Sequence, residues 1–316
     1  MYRDIPSSIN EIKKEIKRLN QLKTQSVSLD YLVSCYRKIT ENLITTSYGL
    51  RSRPDFDLCR AQIGDHSNVS RLWYPPSQYV TSLGRMNEVN ESMFYASYGA
   101  NAQLGSLDEV GASVGDTVTQ IFFQVSERYD LVDLLTLGHA DEFFSKNSIY
   151  DVEYQVHDLA LRKKNEIIKN WVNKEFIKNI SKGSEHRYKK TIAIAKSYFN
   201  GFDCNGIFFP SVASTAKCIN LVLPPRVADK HLIPIKARVI EVIGKSDKGF
   251  ALRYIKDSLS IDADGTINWK SHTLYNQDAK NYLDAGISTK IAEGTYLISG
   301  SRLPNSPFSI YTEMKK

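Results

Sequence analysis

Gly84-Arg85-Met86-Asn87, Met93-Phe94-Tyr95-Ala96-Ser97 and Asp108-Glu109 fall within one stretch, Arg60 to Glu109, and its reading decides the fold. Gly84 gives the backbone freedom for a tight approach. Met93 to Ser97 is an aromatic-rich strand candidate, and Asn101 to Val110 reads as a short helix ending near Gly111. Thr117 to Val125 is the strongest strand of the chain, mostly β-branched and aromatic. A second block, Gly206-Ile207-Phe208-Phe209-Pro210-Ser211, answers the first. Residues 206–209 and 219–223 read as two buried strands flanking a polar loop. Both strands and helices are expected, a mixed α+β (mixed α/β) chain.

Working outward, residues 7–23 form an amphipathic helix. Ser8 and Glu11 have capping-box spacing, and Ile9, Ile12, Ile16 and Leu19 make an apolar stripe. A second helix is expected over 29–45, on Leu29, Leu32, Tyr36, Ile39 and Leu43. Residues 48–83 are broken by prolines and glycine, with a short strand at Phe56 to Ala61 that carries Arg60. Leu131 to Ser148 reads as short helices, 150–180 as a long helical segment and Arg187 to Phe199 as another helix. Pro224-Pro225 ends this block sharply. Strands are expected at Ile235 to Ile243 and Phe250 to Ile261, and Asp262-Ala263-Asp264-Gly265 is read as an Asp-Gly turn. The organisation expected is a helical extension (1–50), a central domain (51–225) with a helical insert at about 130–200, and a β-rich extension (226–316) packed on the core.

Hydrophobic content of 42% and charged content of 24% are those of a globular protein. No run approaches the length needed to span a bilayer, and the first residues lack a signal-peptide core. Cys35, Cys59, Cys204 and Cys218 are scattered and form no metal-ligand pair, so reduced thiols and a cytoplasmic location are expected. The net charge of +6 is uneven: residues 51–150 carry 7 Lys/Arg against 13 Asp/Glu, whereas residues 151–200 carry 11 against 6. The motif-bearing segment is the acidic one, which argues against nucleic acid as the main partner. Neither Gly-x-Gly-x-x-Gly nor Gly-x-x-x-x-Gly-Lys-Ser/Thr occurs, and the six histidines suggest no metal pair.

The chemistry therefore rests on side chains. Arginine presents a planar, permanently charged fork that fits phosphate bidentately; Arg60 and Arg85 together can hold a pyrophosphate. Tyr95 offers a flat face for a ring such as nicotinamide. A glutamate such as Glu109 can bind ribose hydroxyls and stabilise an oxocarbenium-like centre, with Asp108 as its rival for that role. Ser211 can hydrogen-bond the ligand or place a nucleophile. The set suits cleavage of an N-glycosidic bond in a dinucleotide.

These blocks resemble the RES domain family over roughly residues 56 to 225. Leu58-Cys59-Arg60-Ala61 is similar to its opening strand, Gly84 to Asn87 with Met93 to Ser97 and Glu109 to its central motif, and Gly206 to Ser211 with Asn220 to Leu223 to its serine block. The resemblance implies an ADP-ribosyltransferase-like split-sheet core. It also implies a toxin or abortive-infection effector that degrades NAD by hydrolysis or phosphorolysis, with transfer of ADP-ribose and a non-enzymatic nucleotide-binding protein as alternatives. NAD is then a substrate and inorganic phosphate a candidate co-substrate; no other cofactor and no metal are expected. By motif match, Arg60, Arg85, Tyr95 and Asn87 bind the ligand, while Arg85, Tyr95, Glu109 and Ser211 form the catalytic set. An antitoxin or immunity protein is the implied partner, self-assembly is left open, and neither membrane nor direct nucleic-acid contact is expected.

Overall fold

The computed structural model describes residues 8–40, 47–50, 58–99, 101–127, 130–147, 159–201, 204–211, 218–246, 249–271, 288–292, 295–298 and 310–313. Two helices come first, α1 (Ile9–Gln21) and α2 (Leu29–Thr40). Then follow β1 (Ser47–Leu50), β2 (Leu58–Ile63), β3 (Phe94–Tyr98), α3 (Ala102–Glu109), β4 (Thr117–Val125) and β5 (Leu131–Thr136). The next helices are α4 (Ala140–Asn147), α5 (Leu159–Phe176) and α6 (Lys189–Phe199), the last entered through a 3₁₀ turn at Glu185–Tyr188. The chain continues through β6 (Gly206–Pro210), β7 (Ile219–Leu223), α7 (Pro225–His231), β8 (Leu232–Ser246), β9 (Gly249–Ile261), β10 (Ile267–Ser271), β11 (Ser288–Ala292), β12 (Thr295–Ile298) and β13 (Ile310–Glu313). The class is mixed α+β. No helix among the described residues is long and apolar enough to cross a membrane.

The strands lie in the order β1-β5-β6-β7-β3-β2-β4-β8-β9-β13-β12-β11, with β10 paired to β9. One junction in this ladder is thin. β2 and β3 pair only at Leu58↔Tyr98 and Cys59↔Ser97, whereas β3 matches β7 over five residues and β2 matches β4 over six. Beyond Cys59 the two central strands no longer pair, so the sheet divides into two halves joined at one end.

Alternation along the strands gives each face its own core. Ile207, Phe209 and Val222 point to one side, where α1, α2, α5 and α6 cover them with Ile12, Tyr36, Trp171, Phe176 and Tyr198. Phe208, Leu221, Leu223 and Phe94 point to the other, against Leu72, Trp73, Phe123 and Val227. A third cluster, with Leu107 of α3 on Ala61, Val118, Ile240 and Leu252, covers the β2–β4–β8–β9 half. Gly105 lets α3 also approach the β3–β7 half closely: a Cβ there would lie 2.4 Å from Cys218 Sγ and 3.2 Å from Ser97 Oγ.

Several sequence readings hold closely. Ser8 Oγ accepts from Glu11 N at 3.2 Å and Ser8 N donates to the Glu11 carboxylate at 2.8 Å, which completes the capping box of α1. β4 has the bounds expected of it, and the Asp262 turn closes through Gly265 N donating to Asp262 O at 2.9 Å. Three readings need correction. Leu131–Thr136 is a strand, β5, parallel to β6, so the region 130–200 opens with a strand and only then turns helical. Pro224 and Pro225 begin a helix as well as ending a strand: Pro225 occupies the first position of α7, where its missing N–H costs nothing. The strands after residue 231 are continuous with the central sheet, since β8 pairs with β4 from Thr117↔Glu241 to Val125↔Leu232. The expected end of the second helix, residues 41–45, and the start of the long helical segment, 150–158, lie outside the described residues.

Candidate functional site

The division between β2 and β3 leaves the carbonyl of Tyr95 facing the gap, and Arg60 supplies the missing donor. Its Nη1 donates to Tyr95 O at 2.7 Å, so a side chain stands where a ladder N–H would otherwise be. Arg60 is half-buried as a residue, but its Nε is fully covered and has no hydrogen-bond partner among the described residues. The guanidinium lies 5.8 Å from the Phe94 ring centre. Burial pushes it down to about 10, an effect that the neighbouring Tyr95 opposes. At neutral pH it keeps its charge.

Around this gap is a cavity of about 260 Å³ whose walls include Arg60, Arg85, Tyr95, Ser97, Glu109 and Asn220. Arg85 reaches it from the Gly84–Asn87 turn, which closes through Gly84 N donating to Asn87 O at 3.0 Å. A Cβ at Gly84 would come within 2.1 Å of Asn87 Oδ1. The Tyr95 hydroxyl accepts from Met86 N at 3.1 Å and donates to Asn87 Oδ1 at 3.0 Å, which ties the turn to β3. Burial holds that phenol well above its ordinary value, so it remains a donor across the physiological range. Arg85 itself donates to the carbonyl of Phe176 at the end of α5 and lies 5.5 Å from the Tyr188 ring centre. Among the described residues, neither Arg60 nor Arg85 has a carboxylate partner.

Glu109 is the last residue of α3 and is exposed at the cavity rim. A carboxylate there faces the negative end of the helix dipole, so helix stability does not explain it. Its Oε1 accepts from Ser211 Oγ at 2.6 Å and from Asn220 Nδ2 at 2.7 Å. Asn220 is buried and is held in turn by Ser97 Oγ, which donates to its Oδ1 at 3.2 Å. Asp108, the rival acid, does not line the cavity; it lies 3.8 Å from Lys245 of β8. Burial raises its carboxyl above the usual range, Lys245 opposes this and Glu109 adds to it.

The structure thus brings Arg60, Arg85, Tyr95 and Glu109 to one cavity, with Ser211 on the carboxylate. Asn87, expected to bind ligand, lies outside the cavity wall. It is buried, accepts from Tyr95 and donates to the carbonyl of Glu88, and its position in the turn is a supporting one. The sequence reading had not placed Asn220 in the site. Its signal was a lone amide in the otherwise apolar run Ile219–Leu223.

The four cysteines are buried and form no disulfide among the described residues. Burial pushes the Cys59 thiol, beside the cavity, up to about 12 despite its contact with Ser106, so it supplies no nucleophilic thiolate at neutral pH. Comparison of the chain with protein-family models, with characterised proteins and with solved structures finds no match.

Proposed function

We propose that the protein is an enzyme that cleaves the bond between nicotinamide and ribose in NAD, on an ADP-ribosyltransferase-like core. The observation that carries this reading is one cavity that holds two guanidiniums without carboxylate partners among the described residues, and a carboxylate fixed by two hydrogen bonds. Half-buried cations that no protein anion neutralises suit an anionic ligand. The paired phosphates of a dinucleotide match their charge and their forked donors. The division of the sheet beside Tyr95 supports the split-core reading.

In this reading the pyrophosphate rests on Arg60 and Arg85, and the nicotinamide lies against Tyr95. The bond from ribose C1′ to the ring nitrogen breaks, and its electron pair stays on nicotinamide. Glu109 stabilises the cationic ribose that develops. A water oxygen then bonds to C1′ and gives up its proton to Glu109 or solvent; in phosphorolysis a phosphate oxygen takes the place of water. A cavity of about 260 Å³ suits the nicotinamide-ribose half, with the adenosine across the rim. In a cell the expected consequence is NAD depletion, the action of a toxin or abortive-infection effector, restrained by an antitoxin or immunity protein over the rim. The exposure of Glu109 favours a second reading, transfer of ADP-ribose to an acceptor that reaches the same rim.

The test is nicotinamide release from NAD by the purified full chain, with and without inorganic phosphate. Release only with phosphate selects phosphorolysis, and an ADP-ribosylated product selects transfer. Arg85→Ala and Glu109→Gln are each expected to lower release by about a hundredfold or more, because each removes a transition-state contact. No nicotinamide under either condition, and no modified product, would overturn the proposal.

A further inference from the structure

A second cavity, of about 360 Å³, lies where the α1–α2 turn meets the end of α5 and the 3₁₀ turn before α6. Lys23, Lys178, Arg187 and Lys190 line it, with His186 and a single acid, Glu175. Glu175 is buried and already paired with Lys178 at 2.5 Å. Among the described residues the side chains of Lys23, Arg187 and Lys190 make no hydrogen bond or ion pair. The surplus of positive charge is therefore local and uncompensated. Lys190 is half-buried, and burial together with the nearby charges of Lys178 and Arg187 lowers its ammonium below the ordinary range, while Glu175 resists this. Like charges gathered on three separate elements around a concavity repel one another and destabilise the fold, unless an anion settles among them.

We infer that this cavity is a binding site for a small anion carrying two or more phosphate groups. Three unpaired cations converge there, one of them an arginine with a forked donor set suited to phosphate. The volume falls in the range of small-molecule sites, and the concave, three-sided wall suits a compact ligand better than a polymer backbone. The site adjoins the supports of Arg85: Glu175 precedes Phe176, whose carbonyl accepts from Arg85, and Arg187 precedes Tyr188, against which Arg85 stacks. The inference does not depend on the NAD reading.

The probe is pyrophosphate, measured by equilibrium dialysis on the full chain at saturating concentration and physiological ionic strength. The intact protein is expected to take up one equivalent more than the Arg187→Gln/Lys190→Gln double variant, whatever the first cavity holds. Its affinity is expected to fall as salt rises. Arg187 is exposed and Lys190 carries a desolvated, repelled charge, so the double variant is expected to keep its fold, as a thermal melt will show. Should that variant not fold, Lys23→Gln, on an exposed turn, is expected to weaken uptake at this site about fivefold or more at subsaturating probe. Equal uptake by intact and double-variant protein, or by intact and Lys23→Gln protein where the double variant fails, overturns the inference.

Discussion

Replacing Arg60 with methionine separates a ligand-gripping guanidinium from a structural clasp. Burial holds Arg60 at about 10, below its ordinary value, which corresponds to a destabilisation of about 3 kcal/mol for the charged form. The sign follows from linkage: the unfolded chain holds this proton more tightly than the folded one. The cost is fully present below pH 10 and disappears only as pH climbs through 10 toward the ordinary guanidinium range. At pH 7 a neutral side chain therefore relieves all of it. Two losses oppose the relief. Losing the charge-assisted bond to Tyr95 O, 2.7 Å long, costs about 1.5–3 kcal/mol, with the carbonyl then open to water in the cavity. The approach to the Phe94 ring adds about 0.5–1 kcal/mol. The balance lies within about 1 kcal/mol of zero, at a position where a disruptive change ordinarily costs up to about 3 kcal/mol. Urea unfolding of Arg60→Met should give a midpoint close to the parent at unchanged slope, and the same protein should have lost nicotinamide release. A loss of stability beyond about 2 kcal/mol would refute this reasoning, and would make Arg60 a clasp across the divided sheet whose charge is incidental.

Asn220→Ala removes the buried donor to Glu109 and should reduce kcat by about 10- to 100-fold with little change in KM, since it frees the carboxylate without touching the phosphate grip; parent-like kcat would count against Glu109 acting at the reacting centre. Gly105→Ala places a methyl 2.4 Å from Cys218 Sγ and should cost about 1–3 kcal/mol of stability by thermal unfolding, with the helix backing away from β3. Asp108→Asn should leave nicotinamide release unchanged, because Asp108 lies outside the cavity wall. Its carboxyl is raised, so the charged form carries a cost that is full above the folded pKa and vanishes as pH falls below the ordinary carboxylate value. Stability of the asparagine variant at pH 7 should therefore equal or exceed the parent, and the difference should shrink on acidification.

What the sequence made legible was local. The capping box of α1 and the β-branched run of β4 each carry their structure in adjacent residues, and both appear where the pattern puts them. β5 did not, for a physical reason: Val132 and Asp133 are both exposed and Asp133 takes a left-handed φ of 57°, so the strand breaks the alternation that would announce it. The four cavity residues Arg60, Arg85, Tyr95 and Glu109 could be named from their chemistry. Most of their supports could not. Ser211 was named with them, but Arg85 is held by Phe176 and Tyr188, more than ninety residues on, and Glu109 also by Asn220. No spacing rule connects such positions, because only the tertiary packing of strands and helices brings them together. Asn87 sits in the motif, and its amide is engaged within the turn that carries Arg85.

The thin junction between β2 and β3 links the fold to the chemistry. A ladder continued past Cys59 would satisfy the Tyr95 carbonyl with a backbone N–H and leave no gap for a ligand. Opening the sheet there creates the gap and strands a buried acceptor, which by itself costs about 1–3 kcal/mol. Arg60 resolves both at once, because a guanidinium has donors to spare: Nη1 satisfies Tyr95 O while Nε remains covered and unpaired. A lysine in its place would have one compact charge to divide between the carbonyl and an incoming phosphate. On the proposed function, the arginine therefore serves the divided sheet as much as the ligand. The same reasoning explains why the opposing Glu109 is fixed by neutral donors, Ser211 and Asn220. A salt bridge between Glu109 and either arginine would neutralise the cations that the proposed function assigns to an anionic ligand, whereas hydrogen bonds from a serine and an amide position the carboxylate and leave its charge intact.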